Sequence, residues 1–244
     1  MSIWNSAIGA MIGFTLGGPI GALLGGVIGS KFGSHRREKN FSAKQQNQAA
    51  FFTALFACLA KLAKADGHVS SEEVKAVDRF IKDRFNFSSE QRQFAIEVFN
   101  QAKDDSVTYE EYASQLGSLL RTNKNALVVF YELLFELAMA DGELHKNEED
   151  LLKKTTSIFG IDPGLFSQLK NQFSSSNNDP YYALGVTKEM PFSEIKKIYL
   201  KKRREFHPDS LISKGLPDEL LERAKEKFIE IQEAYEAIEK KNIQ

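Results

Sequence analysis

The stretch Phe206-His207-Pro208-Asp209 separates two helical patterns in the last quarter of this 244-residue chain. Proline has no amide donor and disfavours the α conformation in the residue before it. The upstream helix is therefore expected to end at His207 and to leave the polar side chains of the loop in a stiffened frame. Taken alone, the string indicates only a helix stop that carries a histidine and an aspartate.

Apolar residues recur at helical spacing on both sides of this loop. They are Ile195, Ile198, Tyr199 and Phe206 upstream, and Ala224, Phe228, Ile231, Tyr235 and Ile238 downstream. The upstream segment also carries a dense positive charge, from Lys196, Lys197, Lys201, Lys202, Arg203 and Arg204. Two amphipathic helices joined by a loop pack antiparallel on their apolar stripes, so we expect the loop and the basic face to stay exposed.

The order of these segments resembles a J-domain of the DnaJ family. Residues 179–186 (DPYYALGV), the basic helix, the His-Pro-Asp loop and residues 225–235 (KEKFIEIQEAY) follow one another as in that family. The resemblance implies a helical hairpin over 179–244 that docks on a DnaK-type ATPase and stimulates it. It implies that His207, Pro208 and Asp209 make the stimulating contact. Positive charge toward an acidic surface of the partner would come from Lys196, Lys197 and Lys201.

Three positions depart from the pattern of that family. Ser210 and Leu200 stand where a basic residue is common, and Lys202 occupies a position usually given to a core leucine. A lysine there can lay its stem on the core and keep its ammonium in water. No glycine/phenylalanine-rich region or cysteine-rich zinc domain follows, so we expect delivery of local clients to a partner chaperone rather than independent holding of unfolded clients.

The first 30 residues carry no charged side chain, and glycine recurs at every fourth position. On a helix such glycines fall on nearly one face, where a second helix can approach closely. The sequence predicts a single transmembrane helix over 1–33, with a broken or hairpin insertion around Gly18-Pro19 as the alternative. It also predicts a homodimer through Gly9, Gly13, Gly17, Gly21, Gly25 and Gly29.

Basic residues follow this apolar segment directly. They are Lys31, His35, Arg36, Arg37 and Lys39. Positive charge beside a membrane span favours the cytoplasmic side. We therefore expect a single-pass membrane protein, with the bulk of the chain in the cytoplasm.

Residues 41–173 show amphipathic helical patterns and no convincing strand, so we expect an all-α domain there. Helix starts are indicated by capping boxes at Ser42, Ser70, Ser88 and Thr108, and by Asp162-Pro163. The polar stretch 174–178 (SSSNN) is then expected to be a linker to the hairpin.

The same domain contains an internal repeat at a separation of 75 residues. Two apolar helices each end in Ala-Asp-Gly, at 65–67 and 140–142, and another helical pattern follows each of them. This duplicated pattern resembles a TerB-type domain, the family named for tellurite resistance. The resemblance makes its carboxylates candidate ligands for calcium or a similar cation. These are Asp66, Glu73, Asp141 and Glu148.

A structural explanation of the same carboxylates is the one we favour. Each Asp-Gly would end one helix, and each glutamate would cap the next one. Ser70 beside Glu73 fits this explanation well. His145 stands at the matching place in the second copy, so capping is expected to explain Glu148 less well.

The anchor, the TerB-like domain and the J-like hairpin follow one another as in the DjlA family of membrane-anchored, DnaJ-like bacterial proteins. The resemblance covers essentially the whole chain, and residues 211–217 (LISKGLP) also look like the loop of that family. It implies an all-α co-chaperone that recruits a DnaK-type chaperone to clients near the membrane.

Composition excludes one class of function and one kind of cross-link. A net charge of −1 excludes a globally basic nucleic-acid binder, and a single cysteine, Cys58, excludes an intramolecular disulfide. No Ser-His-Asp grouping, phosphate loop or histidine-rich metal motif is present, so we expect no enzymatic activity. The alternative function is a membrane-bound stress or metal sensor that acts through the TerB-like domain.

Overall fold

A computed structural model describes residues 17–32, 43–65, 67, 69, 71–85, 87–139, 144–174, 179–207 and 218–243. Within these residues the chain forms helices and turns without a strand, which confirms the all-α expectation. The described helices are α1 (Gly18–Phe32), α2 (Ala43–Ala63), α3 (Ser71–Arg84), α4 (Ser89–Asp104), α5 (Tyr109–Leu119), α6 (Lys124–Ala138), α7 (Lys146–Phe159), α8 (Gly164–Ser174), α9 (Pro180–Leu184), α10 (Phe192–Glu205) and α11 (Asp218–Ile243).

The TerB-like domain is built around α2. Residues 49–60 of this helix are all buried, because apolar side chains surround its whole circumference. Helices α1, α4, α5, α6 and α7 pack against it. Its partner in the internal repeat, α6, contacts it through an edge-to-face pair of rings, with the centroids of Phe51 and Phe130 5.4 Å apart. Cys58 is fully buried.

Local signals in the sequence set several of the helix starts. Ser88 and Gln91 form the predicted capping box at α4, and Thr108 and Glu111 form the one at α5. The carboxylate of Asp162 accepts a hydrogen bond from the amide of Gly164 at 2.9 Å, at the start of α8. Ser42 and Ser70 lie outside the described residues.

Helix α1 packs on the TerB-like domain, against α2, α4 and α5. Its apolar side chains Ile20, Leu24 and Val27 are buried there. Gln115 on α5 fixes its first turn: the side-chain oxygen accepts the amide of Ile20 at 2.7 Å, and the side-chain nitrogen donates to the carbonyl of Gly17 at 2.9 Å. The described half of the apolar N-terminal segment is therefore part of the folded body in this structure.

The start of α1 differs from the expected unbroken helix over 1–33. Gly17 and Gly18 have left-handed φ angles of +56° and +62°. A right-handed helix that begins at Gly18 does not continue back through Gly17 with these angles, so the helix start adjoins the Gly18-Pro19 site that the alternative interpretation named. Among the described residues, no helix combines the length and the apolar character that a bilayer crossing requires. Residues 1–16 lie outside the described residues.

Candidate functional site at the tip of the C-terminal hairpin

The C-terminal hairpin begins with the short helix α9, which is fixed at both ends. The carboxylate of Asp179 accepts the amide of Tyr181 at 3.2 Å and lies 2.9 Å from the ammonium of Lys188. The hydrogen bond from Lys188 holds the pKa of Asp179 below its ordinary value. The helix ends at Gly185, whose φ of +63° is the left-handed conformation that glycine adopts most readily.

Helices α10 and α11 then pack antiparallel, as predicted. The ring of Tyr199 on α10 stacks on that of Tyr235 on α11, with centroids 4.0 Å apart. Ile198 and Phe228 are half-buried, and the other residues of the two predicted stripes are buried: Ile195, Tyr199, Phe206, Ala224, Ile231, Tyr235 and Ile238. The hairpin thus has its own apolar seam between the two long helices.

His207 lies exposed just past the end of α10. The helix ends at Phe206, whose side chain is buried and whose amide donates to the carbonyl of Lys202 at 2.9 Å. The imidazole of His207 meets the ring of Phe228 edge to face, with centroids 5.5 Å apart. The seam therefore positions this histidine at the tip of the hairpin. Pro208 and Asp209 lie outside the described residues, as do Ser210 and residues 211–217.

A positive surface runs along α10 to this tip. Its members Lys196, Lys197, Lys201, Arg203 and Arg204 are all exposed, which confirms the expected basic face. Leu200 also lies exposed on α10. Cations in the last turn of a helix interact favourably with its dipole, so positive charge is stable at the end of α10 nearest to His207.

Three family models match the chain in the order that the structure presents. They are the DjlA transmembrane domain of co-chaperones over residues 1–39, the tellurite resistance protein TerB over 52–171, and the DnaJ domain over 179–243. Relatives named Co-chaperone protein DjlA are similar to nearly the whole chain. The relative from Photobacterium profundum is 35% identical, and the alignment covers 98% of each chain.

The chain belongs to the DjlA family of co-chaperones. The relative from Vibrio cholerae is 31% identical over 98% of each chain, and the one from Salmonella typhimurium is 30% identical over 81% of this chain and 82% of its own. No solved structure matches. Family membership confirms the TerB-like domain, the J-domain and the DjlA-type transmembrane segment, and it makes the chain a DnaJ-type co-chaperone.

The surroundings of Lys202 on α10 disfavour the charge of its ammonium. The side chain is only partly exposed, and burial followed by repulsion from Lys227 lowers its pKa below the ordinary value. The J-domain of this DjlA-family chain therefore holds a lysine in surroundings that disfavour its charge.

The candidate metal ligands of the TerB-like domain are described only in part. Asp66, Asp141 and the side chain of Glu73 lie outside the described residues. A carboxylate oxygen of Glu148 accepts the backbone amide of His145 at 3.1 Å, which is the capping contact. Glu148 thus makes its capping contact although His145 stands in the place of the serine. The described part of the chain holds no group of three or more His, Cys, Asp or Glu residues that could bind a metal ion.

Sequence reasoning missed one functional feature, the contact between the TerB-like domain and the J-domain. Glu132 and Glu136 on α6 are buried, and both bind residues of α11. The signal was present, since two glutamates four residues apart interrupt an otherwise apolar helix. Buried carboxylates require partners, and nothing near them in sequence supplies a cation.

Proposed function

We propose that this DjlA-family chain is a membrane-anchored co-chaperone that binds a DnaK-type chaperone and stimulates its ATP hydrolysis. The observation that carries the proposal is the exposed His207 at the end of the exposed basic face of α10. ATP is bound and hydrolysed on the partner, so the chain itself needs no catalytic residue. Its task is to recruit the partner to clients near the membrane.

The two parts of the site have different roles in this proposal. His207, Pro208 and Asp209 make the contact that stimulates hydrolysis, and Lys196, Lys197 and Lys201 face an acidic surface of the partner. Complementary charge mainly raises the association rate and orients the encounter, while exposed charges are screened by salt. The complex is therefore transient and sensitive to ionic strength.

Membrane attachment belongs to the same proposal. The match to the DjlA transmembrane domain over residues 1–39 supports an anchor, which we place at 1–33, crossing the bacterial inner membrane once with the bulk of the chain in the cytoplasm. The packed position of α1 is incompatible with this span, so α1 leaves the body when the segment inserts.

A homodimer through the glycine face of the anchor completes the proposal. Gly21 is buried by the chain's own helices in this structure, so pairing at this glycine also requires release of α1. Leucine at both Gly17 and Gly21 separates the helices and abolishes cross-linking between chains in the membrane. Unchanged cross-linking in that variant would contradict the dimer.

The binding proposal is tested by the association rate with a purified DnaK-type chaperone at low salt. Lys196→Gln with Lys197→Gln removes two exposed charges of the basic face of α10, and we expect a several-fold slower association. The matched control removes two exposed lysines at the far end of α11, Lys240→Gln with Lys241→Gln, and is expected to have little effect. Equal rates for both variants would contradict the assignment of the basic face.

A further inference from the structure

Two ion pairs join the TerB-like domain to the J-domain. The ammonium of Lys227 lies 3.2 Å from a carboxylate oxygen of Glu132, and the guanidinium of Arg223 lies 2.9 Å from one of Glu136. Both acids are on α6 and both cations are on α11. Spacings of four residues on each helix place the two members of each set on one face. The two faces therefore match in charge and in register.

Three of the four side chains in these pairs are buried, and Arg223 is 28% exposed. The side chains of Glu132 and Glu136 are 8% and 9% exposed, and that of Lys227 is 8% exposed. A charge so far removed from water is stable only when it is paired and hydrogen-bonded. Burial by itself would lower the pKa of Lys227, but Glu132 and Glu230 outweigh it and raise that pKa. The charged form of Lys227 is thus the stable one at the junction.

Hydrogen bonds from side-chain amides extend the junction to each described helix of the J-domain. The side-chain amide of Asn125 on α6 donates to the carbonyl of Glu205 on α10 at 2.6 Å. From α8, Gln168 donates to the carbonyl of Tyr182 on α9 at 2.8 Å, and Gln172 donates to the carboxylate of Glu230 on α11 at 2.9 Å. The J-domain is held at several points rather than by its linker alone.

The junction leaves the proposed partner-binding face open. His207, Lys196, Lys197 and Lys201 are exposed in this arrangement. The contact made by Asn125 reaches the backbone of Glu205, two residues before His207, without covering the histidine. A bound TerB-like domain therefore does not block the residues to which the DnaK-type partner is assigned.

We propose that Glu132 and Glu136 form a docking surface for the J-domain, and that docking fixes the J-domain in one orientation with its partner-binding face open. The two glutamates are positioning residues, because they hold Arg223 and Lys227 and do not themselves lie on the basic face. The consequence for chaperone recruitment rests on the proposed function, while the docking itself does not.

Cross-linking in the full chain tests the docking. With Asn125→Cys and Glu205→Cys, a short bis-maleimide is expected to join α6 to α10 rapidly, and the fully buried Cys58 stays unreactive. In that background, Glu132→Gln with Glu136→Gln is expected to slow cross-linking at least tenfold. Arg223→Gln with Lys227→Gln is expected to do the same from the other side of the junction. Undiminished cross-linking in both variants would overturn the proposal.

Glu149→Gln is the matched control, because Glu149 pairs with Lys153 and Lys170 inside the TerB-like domain. Its cross-linking rate is expected to equal that of the parent. A comparable fall in the cross-linking rate of this control would also overturn the proposal. Slower cross-linking would then reflect a disturbed fold of the TerB-like domain.

ATPase stimulation of a soluble DnaK-type partner separates this inference from the proposed function. We expect the Glu132→Gln, Glu136→Gln variant to stimulate within twofold of the parent chain, because the partner-binding face is exposed in either case. Stimulation that rises several-fold would show that docking inhibits and would contradict the open orientation. A parent chain that cross-links normally but does not stimulate would refute the proposed function and leave the docking intact.

Discussion

The ammonium of Lys227 lies 3.2 Å from the carboxylate of Glu132, with 8% of each side chain exposed, and so links helices that belong to two different domains. Removing one member of a buried pair leaves an unpaired charge and costs about 3–5 kcal/mol. Lys227→Met alone is therefore expected to lower the Tm of the chain by several degrees. Lys227→Met with Glu132→Leu is expected to recover most of the loss, because neither member of this pair then leaves a buried charge without its partner. Thermal unfolding of the two variants tests this expectation. An equal fall in Tm for the single and the double variant would contradict the pairing.

Lys202→Leu is expected to stabilise the J-domain. Burial, followed by repulsion from Lys227, lowers the pKa of Lys202 below 10.5, so the folded chain disfavours its charge. Replacing such a charge by an apolar side chain stabilises by about 1 kcal/mol or more, which corresponds to a rise in Tm of roughly 2–4 °C. The exposed Lys197→Leu serves as the control and is expected to give no gain.

The gain in stability from Lys202→Leu is expected to depend on pH. The folded-state pKa of Lys202 lies below the unfolded-state pKa, so the cost of its charge is fully present at neutral pH. This cost falls as the pH rises through the folded-state pKa toward 10.5. The advantage of leucine should therefore shrink in alkaline buffer. An advantage that grows with pH would show that the charge is favoured in the fold.

Gly185→Ala is expected to weaken the start of the J-domain. Its φ of +63° is costly for alanine, and a Cβ would lie 2.5 Å from the side-chain oxygen of Gln168. Displacing Gln168 sacrifices its hydrogen bond to Tyr182, and the left-handed backbone adds about 1–2 kcal/mol. Gly117→Ala is the control, because that glycine lies inside α5 where a Cβ meets only ordinary contacts. A Gly185→Ala chain that melts like the control would contradict this role of Gly185.

The membrane proposal requires α1 to leave the TerB-like domain. A Cβ at Gly26 would lie 3.3 Å from the side chain of Gln101, so Gly26→Cys and Gln101→Cys report whether α1 is packed on α4. In membrane vesicles that contain the inserted chain, we expect no cross-link between them. An efficient cross-link in the vesicles would contradict the single span over 1–33 and confine any anchor to residues before Gly17.

Local patterns were enough to predict the helical hairpin of the J-domain. The apolar stripes of α10 and α11, the exposed basic face and the exposed His207 follow from helical spacing and from Pro208, which act over a few residues. The capping boxes of α4 and α5 are local in the same sense. Stripes, basic face and capping boxes each depend on residues close together in the chain, so the sequence alone identifies them.

Long-range contacts could not be predicted in this way. Hydropathy indicated that the segment containing Ile20 and Leu24 would lie in lipid, but the same side chains also fit an apolar groove formed by α2, α4 and α5. The acids Glu132 and Glu136 find their cations roughly 90 residues further along the chain, and no local pattern pairs them. The position of the J-domain on the TerB-like domain is therefore a property of the folded chain.

The central claim is that this chain stimulates a DnaK-type chaperone through the tip of its J-domain, and single-turnover ATP hydrolysis by the purified partner tests it most directly. The full chain is expected to raise the hydrolysis rate well above that of the partner alone. His207→Gln is expected to abolish the increase while the Tm stays nearly unchanged, because an exposed side chain contributes little to the core. His145→Gln, at an exposed histidine of the TerB-like domain, is the matched control and is expected to stimulate fully. Full stimulation by His207→Gln, or none by the parent chain, would contradict the account.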